Sequence, residues 1–244
     1  MSRVYRLTVL RCDFVPEPDR SRHGDAHERM IQHLERAASE LGIAVEVDCF
    51  DAYGGELPPA DHAADLYVTT GSATDPDSTE PWVEALRAWM RRAIAAERPV
   101  YGVCFGHQLL AHALGGETRR HPDGWEVGSV EMNQLFPLGT AGGAPDALRL
   151  LMSHQDEVSV LPAGAKQWLR GAFCELQGFV IPGLAVTVQG HPEYAPEQVT
   201  DLYERRRTIM GDALTDGARE SLAHAHHGLQ LTMDVLCYLL PLGG

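Results

Sequence analysis

From Val4 to Leu114 the sequence alternates short apolar runs with segments of helical period, and few folds accommodate that order. Val4–Leu10, Ile43–Phe50, Leu66–Thr70 and Pro99–Val103 read as strands. Between them, Asp25–Leu41 places Met30, Ile31, Leu34 and Ala38 on one helical face, and Gly42 ends it. Pro81–Ala96 turns Trp82, Leu86, Trp89 and Ile94 inward, and Gly106–Leu114 follows as a further helix. The β-α-β-α-β order predicts an α/β fold: an open, mostly parallel, flavodoxin-like sheet with helices on both faces. Beyond Gly115 glycine and proline become frequent and the apolar runs shorten. Trp125–Met132, Leu148–Met152, Ala165–Leu176 and Leu184–Gln189 predict more strands, including a small antiparallel β segment. Ala195–Met210 and Ser221–Leu240 predict closing helices. Pro16–Gly24 reads as a polar loop, and the Asp and Glu residues near Asp61 to Asp77 as solvated loop positions. No repeat or low-complexity linker interrupts this pattern, so residues 1–244 are expected to form one domain.

Charge and cysteine usage narrow the function classes. With 34 acidic and 20 basic residues the net charge is −14. Such a surface repels phosphate backbones and anionic lipid, so neither nucleic acid nor membrane is an expected partner. No apolar run is long enough to span a bilayer. Arg6 and Arg11 break the N-terminal apolar stretch, which predicts a cytoplasmic location. Cys12, Cys49, Cys104, Cys174 and Cys237 are odd in number and form no CxxC pair. Neither a disulfide framework nor a metal site is expected, and no cofactor. One of these cysteines can be catalytic; the others are expected to be small buried apolar residues.

Cys104 is the candidate. Gly102-Val103-Cys104-Phe105-Gly106 has the form G-x-C-x-G between a strand and a helix. A nucleophile on such a turn is held strained at the carboxyl end of a sheet, and flanking glycines let the backbone fold back on both sides. The N-terminus of the following helix favours thiolate over thiol, and the Phe105 N–H is placed to stabilise an oxyanion. A thiol nucleophile needs a base, and the base an orienting acceptor. Gln189-Gly190-His191-Pro192-Glu193-Tyr194 follows another apolar strand and offers both, His191 and Glu193 being joined by a stiff proline.

Together these motifs resemble the class I (triad-type) glutamine amidotransferases, over about Val4 to Arg206. Gly102-Val103-Cys104-Phe105-Gly106-His107-Gln108 is similar to that family's nucleophile motif, and Gly190-His191-Pro192-Glu193 to its His/Glu motif. Met152-Ser153-His154-Gln155-Asp156-Glu157-Val158 is similar to the segment between them, and Thr70-Gly71-Ser72 to the oxyanion-strand turn. The resemblance implies that Cys104 attacks a γ-glutamyl carbonyl to form a thioester, with His191 as base and acid and Glu193 as its holder. It implies an oxyanion hole from Phe105 and either Gly71 or Ser72, the latter standing where many members have glycine. It also implies substrate contacts from Gln108 and from the backbones of Ser153 and Gln155. Amidotransferases pass ammonia to a synthetase. This chain carries no GxxxxGK[ST] motif for one, so a synthetase would have to be a partner subunit. Cys12-Asp13 with Gly24-Asp25, and Gly124-Trp125-Glu126-Val127-Gly128, are similar to segments of stand-alone members related to the GMP synthase amidotransferase domain. Some of that group are γ-glutamyl peptidases acting on glutathione-like substrates.

Two other readings compete. G-x-C-x-G also resembles the α/β-hydrolase elbow, but there the acid precedes the histidine, whereas Glu193 follows His191. A binding module that has lost catalysis is disfavoured by the intact Cys104, His191 and Glu193. His224, His226 and His227 share a predicted helix, but no carboxylate or cysteine completes a metal set, so a solvated helix end is expected.

Overall fold

The computed structural model describes residues 3–139 and 147–242. In chain order the elements are β1 (Val4–Leu10), α1 (Asp19–His23), α2 (Ala26–Glu40), β2 (Ala44–Phe50), β3 (Leu66–Thr69), α3 (Pro81–Ala95), β4 (Val100–Val103) and α4 (Phe105–Ala113). There follow β5 (Glu117–Arg120), β6 (Glu126–Gln134), β7 (Ala147–His154), β8 (Asp156–Val160), β9 (Lys166–Gly171), β10 (Leu176–Ile181) and β11 (Ala185–Val188). The chain closes with α5 (Pro196–Met210), α6 (Asp212–Ser221) and α7 (Gly228–Leu239).

The main sheet has the order β2-β1-β3-β4-β11-β10-β9-β6-β7. β2, β1, β3, β4 and β11 pair in parallel; the remaining neighbours pair antiparallel. Direction therefore returns at β9 and β7, and of the described strands in this sheet β10 and β6 alone oppose the rest. This is the mostly parallel α/β sheet expected. Tyr5, Leu7 and Val9 of β1 pack with Met30 and Leu34 of α2 and Val235 and Leu239 of α7 on one face. Leu10 and Tyr67 pack with Trp82, Leu86 and Trp89 of α3 and Leu109 of α4 on the other. The period-2 alternation along β1 sends side chains to both faces. Asp25 caps α2 with a capping box completed by Glu28, so the helix starts where its sequence signal lies.

Several expectations need correction. Ala165–Leu176 is not one strand but the start of a hairpin. A Cβ on Gly171 would lie 2.7 Å from the Cys174 carbonyl, so the chain folds back tightly there and β10 pairs on β9. The small antiparallel β segment expected is present as a separate two-stranded sheet, β5 with β8, though in strongly charged sequence outside the strands expected. Its strands are tied by Arg119–Glu157 and Arg120–Asp156 ion pairs at 2.8 Å. Ser221–Leu240 is not one helix. The stretch 222–227 interrupts it because β7 is the end strand of the main sheet. His227 covers that edge: its N–H donates to the Arg149 carbonyl at 2.8 Å, and its Nδ1 accepts from the Arg149 N–H at 2.9 Å. The three histidines thus lie in a turn, and among the described residues no three His, Cys, Asp or Glu side chains converge as a metal set. Finally, Cys12 and Cys174 are buried as expected, but Cys49 is exposed and Cys237 only partly buried. The Pro16–Gly24 loop also contains the short α1.

Gly228, at the start of α7, shows why this break matters. A Cβ there would sit 2.1 Å from the Pro192 carbonyl oxygen, so α7 can approach the 191–193 turn only through glycine. Gly228→Ala is expected to cost about 1–3 kcal/mol, read as a lower urea midpoint. Gly217, within α6, has nothing within 4 Å of such a Cβ. Gly217→Ala is expected to stabilise by about 0.5–1 kcal/mol in the same assay. Equal effects at the two sites would show that the Gly228 contact does not matter.

Candidate functional site

The strand order places three turns side by side. Gly71-Ser72 follow β3, Cys104 follows β4, and His191 and Glu193 follow β11, and these strands are neighbours in the order β3-β4-β11. Carboxyl ends of adjacent parallel strands are where open α/β sheets gather their sites.

Cys104 has φ 51° and ψ −103°, a left-handed conformation that costs a non-glycine residue about 1–3 kcal/mol. The turn exists because both flanks are bare. A Cβ on Gly102 would lie 2.9 Å from the Gly106 carbonyl oxygen, and one on Gly106 would lie 1.7 Å from Thr69 Oγ1. The sulfur thus stands at the N-terminus of α4. Phe105 is the first helical residue, so its N–H has no intrahelical acceptor. Its ring is buried and packs on Trp82.

His191 is buried, and its backbone N–H donates to the Leu151 carbonyl at 2.9 Å, tying the turn to β7. Its Nδ1 lies 2.9 Å from Glu193 Oε1, in a pair whose side chains are 4% and 5% exposed. Burial alone would raise the Glu193 pKa, but the imidazole beside it lowers it below the ordinary value. An ionised carboxylate only accepts, so Nδ1 carries the hydrogen and Nε2 is left for the cysteine side. Burial would lower the His191 pKa, yet Cys104 and Glu193 raise it well above its ordinary value. Tyr194 stacks on the imidazole at 3.8 Å and 3°, which holds the ring plane. A Cβ on Gly71 would lie 3.4 Å from His191 Nε2 and 3.5 Å from the Cys104 Cβ, so this glycine backbone sits between base and thiol.

Cys104 stands where two clefts meet. The first, of about 680 Å³, is lined by Asp13, Arg29, His191, Glu193, Tyr194 and Arg206 among others. The second, of about 780 Å³, is lined by Gln108, Trp125, His154, Gln155, Asp156 and Arg120 among others. Ser72, Ala73, Cys104, Ser153 and Arg206 border both. Eight of the nine site residues expected from the sequence line one or both clefts, and the ninth, Phe105, directly follows Cys104. Gln108 is buried, and its Nε2 donates to the Asp156 carbonyl at 2.7 Å and to Gln189 Oε1 at 3.1 Å, which leaves its oxygen for the cleft. Ser153 Oγ accepts from Arg206 at 2.7 Å, and Gln155 Oε1 accepts from Arg120 at 2.6 Å.

Other residues of the site were given no role by the sequence. Gln189 is fully buried, and its Nε2 reaches the Cys104 sulfur at 3.7 Å. A polar residue closing the apolar run Ala185–Val188 was its one sequence signal. The wall of the first cleft is made by the segment containing α1, latched to α5 by His23 and Arg22 on Asp201, each at 2.9 Å, and by Asp19 on Arg205. Arg29 comes from α2 and Arg206 from α5, far apart in sequence.

A cysteine on a strained strand-to-helix turn thus stands beside a buried histidine–carboxylate pair, on the edge of an α/β sheet. The comparisons place it within a family. The sequence profile of the family "Glutamine amidotransferase class-I" matches residues 23–208. A Saccharomyces cerevisiae protein described as a candidate glutamine amidotransferase is 33% identical over 181 residues, spanning 70% of this chain and 72% of its own. Gamma-glutamyl peptidase 4 of Arabidopsis thaliana is 31% identical over 165 residues, spanning 65% of this chain and 66% of its own. The crystal structure of a glutamine amidotransferase from Methylobacillus flagellatus superposes with a TM-score of 0.70 at 21% identity, covering 99% of this chain and 98% of that one. The chain belongs to the class I glutamine amidotransferase family.

Proposed function

We propose that this chain hydrolyses γ-glutamyl amides through a Cys104–His191–Glu193 triad. The observation that carries this reading is the buried His191–Glu193 pair at 2.9 Å, on the turn beside Cys104. In this reading His191 Nε2 takes the thiol proton and the sulfur attacks the γ-carbonyl. Phe105 N–H and the amide of Gly71 or Ser72 stabilise the oxyanion; the closeness of Gly71 to both Cys104 and His191 supports its amide as the second donor. His191 returns the proton to the leaving nitrogen as the C–N bond breaks, leaving a γ-glutamyl thioester. Water, deprotonated by His191, then releases glutamate and the thiol. Glu193 stays ionised and stabilises the imidazolium. Gln108 and the backbones of Ser153 and Gln155 hold the glutamyl group in the second cleft. No cofactor enters these steps.

The first cleft supports a wider substrate range than glutamine, because ammonia as the sole leaving group would not use it. The test is a panel of glutamine, γ-glutamyl amides, glutathione and simple esters given to the purified protein. Hydrolysis of at least one γ-glutamyl compound is the expected result. Hydrolysis of esters with none of the γ-glutamyl compounds would reject the reading.

A further inference from the structure

We propose that the first cleft is a leaving-group subsite for an amine that bears a carboxylate, an amino acid or short peptide, with Arg29 as the carboxylate contact. This rests on the γ-glutamyl hydrolase reading above. In that mechanism the group that protonates the leaving nitrogen must face it. His191, Glu193 and Tyr194 line the first cleft and not the second, so the amine departs into the first. The reaction balances without a further reactant: the amide C–N bond breaks, the C–S bond forms, and the proton passes from His191 to the amine.

The charges of that cleft select its occupant. Glu193 is paired with His191, Asp19 with Arg205, and His23 with Asp201. Arg29 differs. Its guanidinium meets only neutral acceptors: the Gly24 carbonyl at 2.5 Å, the His23 carbonyl at 3.5 Å, and Gln198 at 3.3 Å with the amide oxygen turned toward it. Arg206 likewise contacts Ser153 Oγ and stacks over the Trp125 ring. Neither arginine makes an ion pair among the described residues, although acidic residues outnumber basic ones by 34 to 20. One carboxylate, Asp13, faces both arginines: its Oδ1 accepts from the Phe14 N–H at 2.8 Å, and burial raises its pKa against the opposing pull of Arg206 and Arg29, so a single negative charge stands against two positive ones. The uncancelled charge of the cleft is therefore positive. Arg206 borders both clefts at their junction, where it is held on Ser153 and Trp125. Arg29 lines the first cleft without lining the second, which makes it the residue that can distinguish leaving groups.

The experiment compares kcat/KM for γ-glutamylglycine, γ-glutamylmethylamide and glutamine, which share one acyl group. The wild-type protein is expected to prefer γ-glutamylglycine over the methylamide by about 10-fold, in KM more than in kcat, as a charge-assisted contact in a partly open cleft would give. Arg29→Gln is expected to bring that ratio close to one, and Arg29→Lys to keep part of it. Because the ratio is taken on one preparation, partial misfolding of a variant does not alter it. Equal use of the glycine conjugate and the methylamide by the wild type, or an Arg29→Gln loss identical on both, would overturn the subsite and leave the hydrolase reading standing. Absence of turnover on all three compounds would overturn both.

Discussion

Cys104→Ala is expected to lower hydrolysis of a γ-glutamyl amide by about four orders of magnitude or more, to the background rate. The same substitution is expected to abolish covalent labelling by a glutamine-like electrophile such as a γ-halomethyl ketone. Five thiols compete for the reagent. Cys12 and Cys174 are fully buried, and burial raises their pKa far out of the working range. Cys49 is exposed, but burial of its sulfur pushes its pKa up to about 11, so little thiolate is present near neutrality. Burial raises that of Cys237 as well. Cys104 instead has a helix N-terminus, the His191 ring and two clefts around it. Intact-mass and peptide analysis after labelling at neutral pH reads the result. A label that persists in the alanine variant, on any other cysteine and at the wild-type rate, would remove Cys104 from the mechanism. Nonspecific labelling at Cys49 is expected to grow as pH rises toward 11, in both proteins, which separates it from the site.

His191→Asn is expected to lower kcat by about 10²–10⁴, the range for loss of a positioned general acid–base group. Asparagine is the informative choice because of Glu193. Removing one partner of a buried ion pair leaves the other charge uncompensated, at a cost of about 3–5 kcal/mol. An asparagine amide can still donate to the Glu193 carboxylate, so the turn keeps a hydrogen bond where alanine would leave none. Thermal unfolding of the variant is the control, and labelling of Cys104 is expected to slow along with turnover. Wild-type turnover in a folded His191→Asn protein would discard the triad.

How much of this was legible before the fold was known follows from how each feature is encoded. The G-x-C-x-G turn, the Gly190–Glu193 run, the Asp25 cap and the amphipathic faces of α2 and α3 are all written in residues adjacent or one helical turn apart. Local sterics and periodicity are sufficient to read them. Even the reason for Gly106 is partly local, since a turn this tight leaves no room for a side chain; that the obstacle is Thr69 Oγ1 is not.

The second half of the chain obeys a different logic. β5 carries charges instead of an apolar alternation, and β8 opens on two carboxylates; the ion pairs that join them span 36 and 38 residues of sequence separation. The helix expected over Ser221–Leu240 breaks because His227 satisfies the exposed edge of β7, and no pattern near His227 encodes that edge. The cleft is the extreme case. Asp13 follows β1, Arg29 belongs to α2 and Arg206 to α5, and Gln189 reaches the sulfur across a separation of 85 residues. Residues that react or turn the chain leave a mark on their neighbours in sequence, because their geometry is set by one or two peptide units. Residues such as Arg29 and Arg206 leave none, because what places them together is the order of strands in the sheet and the packing of helices against it.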